Sequence, residues 1–146
     1  MKTQAESMRL PMTFWETAAQ SQWGSYISGI ERRAIEKADL SAQTRTTALE
    51  IGCEGGRWSK LLSSRGWKMV CTAIDPEALG ICRARIPAAR CVLVRPGDVK
   101  LPCESASIGL MLCIEVSQAL PYSDWFIGEA RRVLCDGGLC VPKTAI

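Results

Sequence analysis

Histidine is absent from this chain of 146 residues, and its absence removes one broad class of enzyme. The serine and cysteine nucleophiles of many hydrolases are activated by a neighbouring imidazole. Hydrolase chemistry of the Ser-His and Cys-His kinds is therefore excluded. A zinc site would also lack its usual nitrogen ligand.

Cysteine pairs with the spacing Cys-x-x-Cys are missing too, although the chain has eight cysteines. A metal site would need cysteines gathered from distant parts of the sequence, and we therefore predict no metal site. Several cysteines lie in apolar runs, where a free thiol behaves as a small hydrophobe. This pattern favours buried thiols in a reducing compartment over a disulfide framework, because secreted disulfide domains are usually smaller and rich in loops.

Long apolar runs and a strong net charge are lacking as well. No apolar stretch reaches the roughly 20 residues that cross a bilayer, and residues 1–10 carry no apolar signal-peptide core. The net charge is only +3 and forms no concentrated basic patch. We expect a soluble, cytoplasmic protein whose partner is a small molecule rather than a membrane or a nucleic acid.

From residue 47 onward, short apolar runs alternate with helical patterns. Such alternation is typical of a mostly parallel sheet with helices on both faces. The sequence therefore predicts an α/β protein, a Rossmann-like three-layer α/β/α sandwich. The expected strands are residues 47–51, 68–74, 91–94, 107–114 and a fifth that begins at 139, with helices at 57–65, 75–85 and 124–134.

The segment ahead of the first strand is predicted to be helical. Residues 1–12 are expected to be a flexible lead-in, so the folded domain is predicted to cover residues 13–146. Apolar residues recur at helical spacing from Thr13, although Gly24 and Gly29 favour two helices over one. Near the other end, Asp136-Gly137-Gly138 is expected to break the chain between the last helix and the fifth strand.

The first strand ends in the glycine-rich turn Gly52-Cys53-Glu54-Gly55-Gly56. Ligands of parallel sheets bind at the carboxyl ends of the strands. Glycines without a Cβ would let a ligand lie against the backbone there. A tight connection between a strand and a helix would explain the glycines equally well.

Carboxylates follow the next three strands in the same way. Asp75 could accept hydrogen bonds from ribose hydroxyls, cap the next helix, or do both. Asp98 could accept a bond from the exocyclic amine of a purine or simply stabilise its turn. Glu115 either faces the cleft or caps a turn. Since the chain has no histidine, the general-base candidates are Glu115 and Tyr26.

Trp23 and Tyr26 lie on the predicted N-terminal helices. Aromatic faces attract cations, so the two rings could cover a sulfonium ligand. The more common explanation for aromatics at helical spacing is a stripe that packs against the core.

Four segments together resemble class I S-adenosylmethionine-dependent methyltransferases of the type 11-like group. Residues 48–56 resemble the first motif of that family, an acidic residue followed by glycines after a strand. Residues 73–75 resemble its ribose-binding segment, and residues 97–102 its adenine-side segment. Residues 129–139 are similar to the helix and turn before its fifth strand.

The resemblance implies a methyltransferase with S-adenosylmethionine as cofactor, and methyl transfer requires no metal. The low and unpatterned charge favours a small-molecule acceptor over a nucleic acid. The resemblance assigns Glu50 to the methionine end of the cofactor, Asp75 to the ribose, and Asp98 with Val99 to the adenine. The full expected cofactor-binding set is Glu50, Ile51, Gly52, Cys53, Gly56, Asp75, Pro76, Asp98, Val99 and Glu115.

The sequence departs from the family pattern at two places. Glu54 stands where the family usually has its second motif glycine, and we expect Gly55 to absorb the tight turn. Family members normally continue with a further helix and two strands, whereas this chain stops about eight residues after Gly138. The fifth strand is therefore expected to be an exposed edge that a partner or a second copy covers.

Two other functions remain open on these grounds. A shortened domain could bind cofactor or a partner without catalysing methyl transfer. An NAD-dependent oxidoreductase is less favoured, because the glycine-rich turn lacks the Gly-x-Gly-x-x-Gly spacing.

Overall fold

The computed structural model describes residues 10–95, 97–117 and 119–143. They form a five-stranded, all-parallel sheet in the order β3-β2-β1-β4-β5. The strands are β1 (Thr47–Ile51), β2 (Lys68–Ala73), β3 (Arg90–Leu93), β4 (Ile108–Cys113) and β5 (Leu134–Pro142). The helices are α1 (Phe14–Ala18), α2 (Gln22–Ser41), α3 (Arg57–Ser64), α4 (Pro76–Arg85) and α5 (Asp124–Val133), with a short 3₁₀ turn at Leu120–Tyr122.

The predicted α/β sandwich is confirmed. Two separate hydrophobic cores form because side chains alternate between the two faces of each strand. One face packs against α2, α3 and α4, with Ile35, Leu62 and Leu79 at its centre. The other face packs against α5 through Phe126 and Val133.

The order of the strands reverses at β1. The chain runs outward from β1 through β2 to β3 and then returns to β4 on the opposite side of β1. A crevice opens where neighbouring connections leave a parallel sheet in opposite directions. The carboxyl ends of β1 and β4 therefore define the expected place for a ligand.

The helical segment before β1 is divided into two helices, as the sequence predicted. A capping box at Thr13 begins α1, and the Ser21 hydroxyl accepts a hydrogen bond that begins α2. The predicted lead-in falls mostly outside the described residues. No helix in the described part of the chain is long and apolar enough to cross a membrane.

Asp39 holds the end of α2 against the sheet. Its buried carboxylate accepts hydrogen bonds from Trp67 Nε1 at 2.7 Å, Arg45 Nη1 at 2.6 Å and Arg65 Nη1 at 3.2 Å. Burial opposes ionisation of Asp39, but these donors together hold its pKa below the usual range. The C-terminal end of α2, which precedes β1, is thereby fixed in place.

The predicted break before the fifth strand is wrong. β5 begins at Leu134, immediately after α5, and Asp136-Gly137-Gly138 lies inside the strand. The pairing of Ile108 with Leu134 is followed by that of Leu110 with Leu139, so β5 bulges between them. The bulge allows β5 to pair with β4 both before and after the Asp136-Gly137-Gly138 segment.

Candidate active site

A cleft of about 860 Å³ opens at the carboxyl ends of β1, β2 and β4. Its size falls within the range of small-molecule and cofactor sites. Of the residues expected to bind the cofactor, six line this cleft: Ile51, Gly52, Asp75, Asp98, Val99 and Glu115.

Gly52 brings bare backbone to the wall of the cleft. Its φ is +68°, and a Cβ atom there would lie 2.5 Å from Val116 Cγ1 and 3.1 Å from the Glu115 carbonyl oxygen. The segment after β4 therefore passes too close for any larger side chain. The turn is held by the Cys53 N–H, which donates to the Thr72 carbonyl at 2.9 Å.

Apart from Glu54, which also lines the cleft, the rest of the glycine-rich turn faces away from it. Cys53 is buried and Gly56 packs against α4, where a Cβ atom would lie 2.6 Å from Cys82 Sγ. Gly52, Glu54 and Gly56 have positive φ angles, with 49° at Glu54, whereas Gly55 does not, so the expectation that Gly55 would absorb the turn is wrong. Pro76 is the first residue of α4 and does not line the cleft.

Glu50 is fully buried under the turn rather than exposed in the cleft. Its Oε1 accepts hydrogen bonds from Ser59 N at 3.1 Å and Ser59 Oγ at 2.7 Å, which tie β1 to α3. Burial raises the pKa of Glu50 well above its usual range. Glu50 thus supports the turn from below and does not line the cofactor cleft.

Asp75 caps α4 and also lies at the cleft, so its position is compatible with both roles that the sequence left open. Its Oδ1 accepts the Glu77 N–H at 3.0 Å and so caps α4, while the exposed residue lines the cleft. Glu54 lies close by: burial and the negative charge of Asp75 both raise the pKa of Glu54. This wall of the cleft is acidic and suited to hydroxyl donors or a cation.

The opposite wall is formed by the loop after β3. Asp98 Oδ2 accepts the Arg95 N–H at 2.7 Å, which confirms its turn-stabilising role. The Val99 carbonyl accepts a hydrogen bond from Trp125 Nε1 at 2.8 Å, so α5 holds this loop in place. The exposed Val99 side chain and Leu101 give the wall an apolar surface.

The side chain of Glu115 is buried beside the cleft and is paired with Arg57. Arg57 Nε donates to Glu115 Oε1 at 2.6 Å, and its Nη atoms donate to Ser28 Oγ at 2.9 Å and to Glu31 Oε2 at 3.3 Å. Burial raises the pKa of Glu115 to about 7, although Arg57 opposes the shift. The carboxyl group can therefore exchange a proton near neutral pH.

Sequence reasoning missed Arg57 and Glu31. Arg57 is simply the first residue of α3, and Glu31 is a charged residue within α2. Their pairing depends on how α2 packs across the sheet, and no local sequence pattern predicts that packing.

A smaller cavity of about 370 Å³ adjoins the cleft and shares Trp15 and Glu115 with it. Its other lining residues include Trp23, Ile27 and Arg57. Trp23 is 71% exposed, so the alternative that it packs in the core is wrong.

Tyr26 lies elsewhere. It is 58% exposed, its ring centroid lies 5.6 Å from that of Trp23, and it lines neither cavity. The geometry therefore offers no support for Tyr26 as the general base, and Glu115 is the candidate that lies at the site.

Comparison with known proteins points to one family. The family model described as "Methyltransferase domain" matches residues 49–141. The probable phthiotriol/phenolphthiotriol dimycocerosates methyltransferase 2 of Mycobacterium ulcerans is 30% identical over 108 residues, which are 73% of this chain and 41% of that protein. The chain thus spans about two fifths of the length of this curated relative.

Solved structures share the fold. A TehB-like SAM-dependent methyltransferase from Corynebacterium glutamicum has a TM-score of 0.60 at 16% identity, over 80% of this chain and 71% of that one. A geranyl diphosphate methyltransferase in complex with GPP and sinefungin has a TM-score of 0.60 at 18% identity, over 75% and 42% of the two chains.

Proposed function

Since this chain belongs to the class I S-adenosylmethionine-dependent methyltransferases, we propose that it binds S-adenosylmethionine in the cleft beside Gly52 and Asp75. We propose further that it transfers the methyl group to a small-molecule acceptor. The NAD-dependent alternative has no support from the family match or from the spacing of the glycines.

One observation carries the proposal: an acidic side chain and a stretch of bare backbone border the same cleft. Asp75 offers oxygen acceptors to two ribose hydroxyls, because only Oδ1 is occupied by the helix cap. Gly52 lets the methionine part of the cofactor lie against the main chain. Val99 and Asp98 line the same cleft, where Val99 would pack against the adenine ring and Asp98 would accept from its exocyclic amine.

The cofactor, when bound, supplies an activated methyl group on a positively charged sulfur. The residues of the chain position it and set the charge around it. The acidic wall formed by Glu54 and Asp75 attracts the cation, and Glu115 receives a proton from the acceptor at Oε2, the oxygen that does not bind Arg57. An acceptor that is already an anion needs no such base.

The smaller cavity is the proposed entrance of the acceptor. It meets the cofactor cleft at Glu115, which places an acceptor within reach of the residue proposed to take its proton. Trp23 and Ile27 give this cavity an apolar wall, while Arg57 lines it together with its carboxylate partners Glu31 and Glu115. These features support an apolar small molecule that carries one polar group.

Isothermal titration of the full chain and of Asp75→Asn tests the cofactor site. We expect S-adenosylmethionine to bind the wild-type chain and NAD to give no heat. Asparagine caps a helix as well as aspartate does, so the melting temperature should hold. The loss of a charged hydrogen bond should weaken S-adenosylmethionine binding about 10- to 100-fold.

Glu77→Gln provides the matched control, because Glu77 is an exposed neighbour in the same helical turn that does not line the cleft. It should bind with wild-type affinity. Unchanged affinity in Asp75→Asn, or the absence of binding heat with the wild-type chain, would show that the ribose does not lie at Asp75.

Two further proposals concern the setting of the protein. Its eight cysteines are free, four of them buried and four partly buried, which supports a reducing compartment, the cytoplasm. β5 has β4 on one side, and no strand in the described part of the chain pairs with its other side. We propose that a second copy or a partner covers this edge, and a monomeric mass by light scattering at high concentration would exclude the second copy.

A further inference from the structure

Four cysteines from four different segments converge on one point. Cys53 follows β1, Cys71 lies in β2 and Cys82 lies in α4, and their Sγ atoms all lie within 4.8 Å of one another. Cys91 in β3 joins them, because its Sγ lies 3.8 Å from that of Cys82. The expectation that the cysteines would be scattered is wrong for these four, which we call the thiol cluster.

The backbone itself produces this convergence. Cys71 and Cys91 are register partners on adjacent parallel strands, so their side chains share one face of the sheet. α4 connects these two strands across that same face and contributes Cys82, while the bond from Cys53 N to Thr72 O brings the turn above them. The cluster thus arises from one strand-helix-strand unit and the turn beside it.

The distances match a metal site. A tetrahedral zinc ion with bonds of about 2.3 Å to sulfur sets its ligands about 3.8 Å apart. Cys82 and Cys91 already meet this spacing, and the pairs among Cys53, Cys71 and Cys82 reach it by contracting at most about 1 Å. Cys91 completes the set from the Cys82 side and would have to move closer to the other sulfurs when an ion binds. We propose that the thiol cluster binds one Zn²⁺ ion in a closed, four-coordinate structural site.

The surroundings favour a structural site over a catalytic one. Cys53, Cys71 and Cys82 are almost completely buried and Cys91 is half-buried, so no side of the ion faces a cleft. Thiolate ligands select thiophilic cations such as Zn²⁺ over Mg²⁺ or Ca²⁺. Four thiols bind Zn²⁺ with release of four protons to the solvent, which leaves a site with a charge of −2.

One feature next to the cluster suits that charge. The exposed guanidinium group of Arg83 donates a hydrogen bond to the Cys91 carbonyl at 3.3 Å and so places a positive charge beside it. Hydrogen bonds around the ligands of a metal help to hold such sites in place. The Cys71 thiol donates to Ser59 Oγ at 3.2 Å, and this proton is one of the four that zinc binding would release.

The proposed ion would fasten the glycine-rich turn to α4. Cys53 lies inside that turn, and Gly56 in the same turn packs directly on the Cys82 sulfur. The inference does not depend on methyl transfer, since metal content and folding stability report on it directly.

Metal analysis of the purified full chain is the first test. The chain is expressed in medium supplemented with zinc and then dialysed against a mild chelator. Elemental analysis by inductively coupled plasma mass spectrometry should then find one zinc ion per chain. Chain refolded with Co²⁺ under reducing conditions should show the intense charge-transfer absorption of cobalt bound to thiolates. Cys82→Ser and Cys91→Ser should lose the zinc.

Cys113→Ser is the control, because Cys113 is equally buried but lies on β4, outside the cluster. It should keep one zinc ion per chain even if it melts at a lower temperature. A wild-type titration guards against variants that fail to fold: the reduced, metal-free chain should melt at a higher temperature after Zn²⁺ is added.

Two results would overturn the proposal. One is a wild-type chain without zinc whose melting temperature does not respond to added Zn²⁺. The other is an intact mass two hydrogens lower than expected, with Cys82 and Cys91 in one cross-linked peptide, which would make the cluster a disulfide site instead.

Discussion

A single Cβ atom added at Gly52 would collide with Val116, which also lines the cleft. Gly52→Ala should lower the free energy of unfolding by about 2–4 kcal/mol, because the new Cβ collides with Val116 in a left-handed backbone. Binding of S-adenosylmethionine should weaken at least about 10-fold, since relief of the collision shifts the cleft wall. Urea denaturation and isothermal titration measure the two effects.

Gly66→Ala separates backbone strain from collision. Gly66 has a similar φ of +96°, but a Cβ atom there would meet no atom within 4 Å. This variant should lose only about 1–2 kcal/mol and keep its affinity for the cofactor. Equal losses in the two variants would mean that the contact with Val116 is unimportant.

Single residues also show how far the sequence defines the site. Asp75 and Asp98 were found because each follows a strand, and strand ends meet at one edge of a parallel sheet. Glu50, Cys53 and Gly56 belong to the same motif but face away from the cleft. Neighbouring residues of a strand and a tight turn point to opposite sides, so membership of a motif does not fix the direction of a side chain.

Among the elements, α4 and α5 each carry a glycine that nothing in the fold requires. Gly80 and Gly128 are exposed within their helices, and a Cβ atom at either position would have open space around it. Gly80→Ala and Gly128→Ala should therefore each raise the free energy of unfolding by about 0.5–1 kcal/mol, because glycine is a poor helix former. Chemical denaturation would measure the change.

Gly109 in β4 provides the contrast. A Cβ atom there would lie 2.0 Å from the Thr44 carbonyl oxygen, so Gly109→Ala should destabilise the fold. If all three alanine variants changed stability in the same direction, the packing around these elements would have to differ from the structure.

The elements themselves were predictable where their signals are local. Apolar runs marked β1, β2 and β4, and Asp75 with Pro76 marked the start of α4. The start of β5 was predicted too late, because α5 ends at Val133 and the strand begins at Leu134 with no turn between them. The Asp-Gly-Gly sequence is typical of a turn, and only pairing with β4 makes it a bulge.

At the scale of the whole molecule, some carboxyl groups have lowered pKa values and others have raised ones, and the two sets make stability depend on pH in opposite directions. Ion pairs and hydrogen bonds outweigh burial and lower the pKa values of Glu16 and Asp39, and hydrogen bonds from Arg132 lower that of Glu129. Their contribution is lost as the pH falls through those lowered values. Burial raises the pKa values of Glu50 and Glu115, so their contribution is present at low pH and is lost as the pH rises above about 4.5 toward the raised values.

Stability should therefore peak under mildly acidic conditions and decline toward pH 8. Glu50→Gln tests this, because an amide keeps the oxygen that accepts from Ser59 but cannot ionise. The difference in unfolding free energy between the variant and the wild type should grow in favour of the variant as the pH rises from 5 to 8. A difference that stays constant with pH would show that Glu50 does not titrate with an elevated pKa.

Glu115 and Trp15 form a common wall between the two cavities. A molecule in one cavity that changes the protonation of Glu115 alters the electric field felt by a molecule in the other. Thermodynamic linkage requires such an influence to be mutual: if the first molecule tightens the binding of the second by some factor, the second tightens the first by the same factor. A demethylated cofactor and a methylated product would then govern each other's departure through this one carboxyl group.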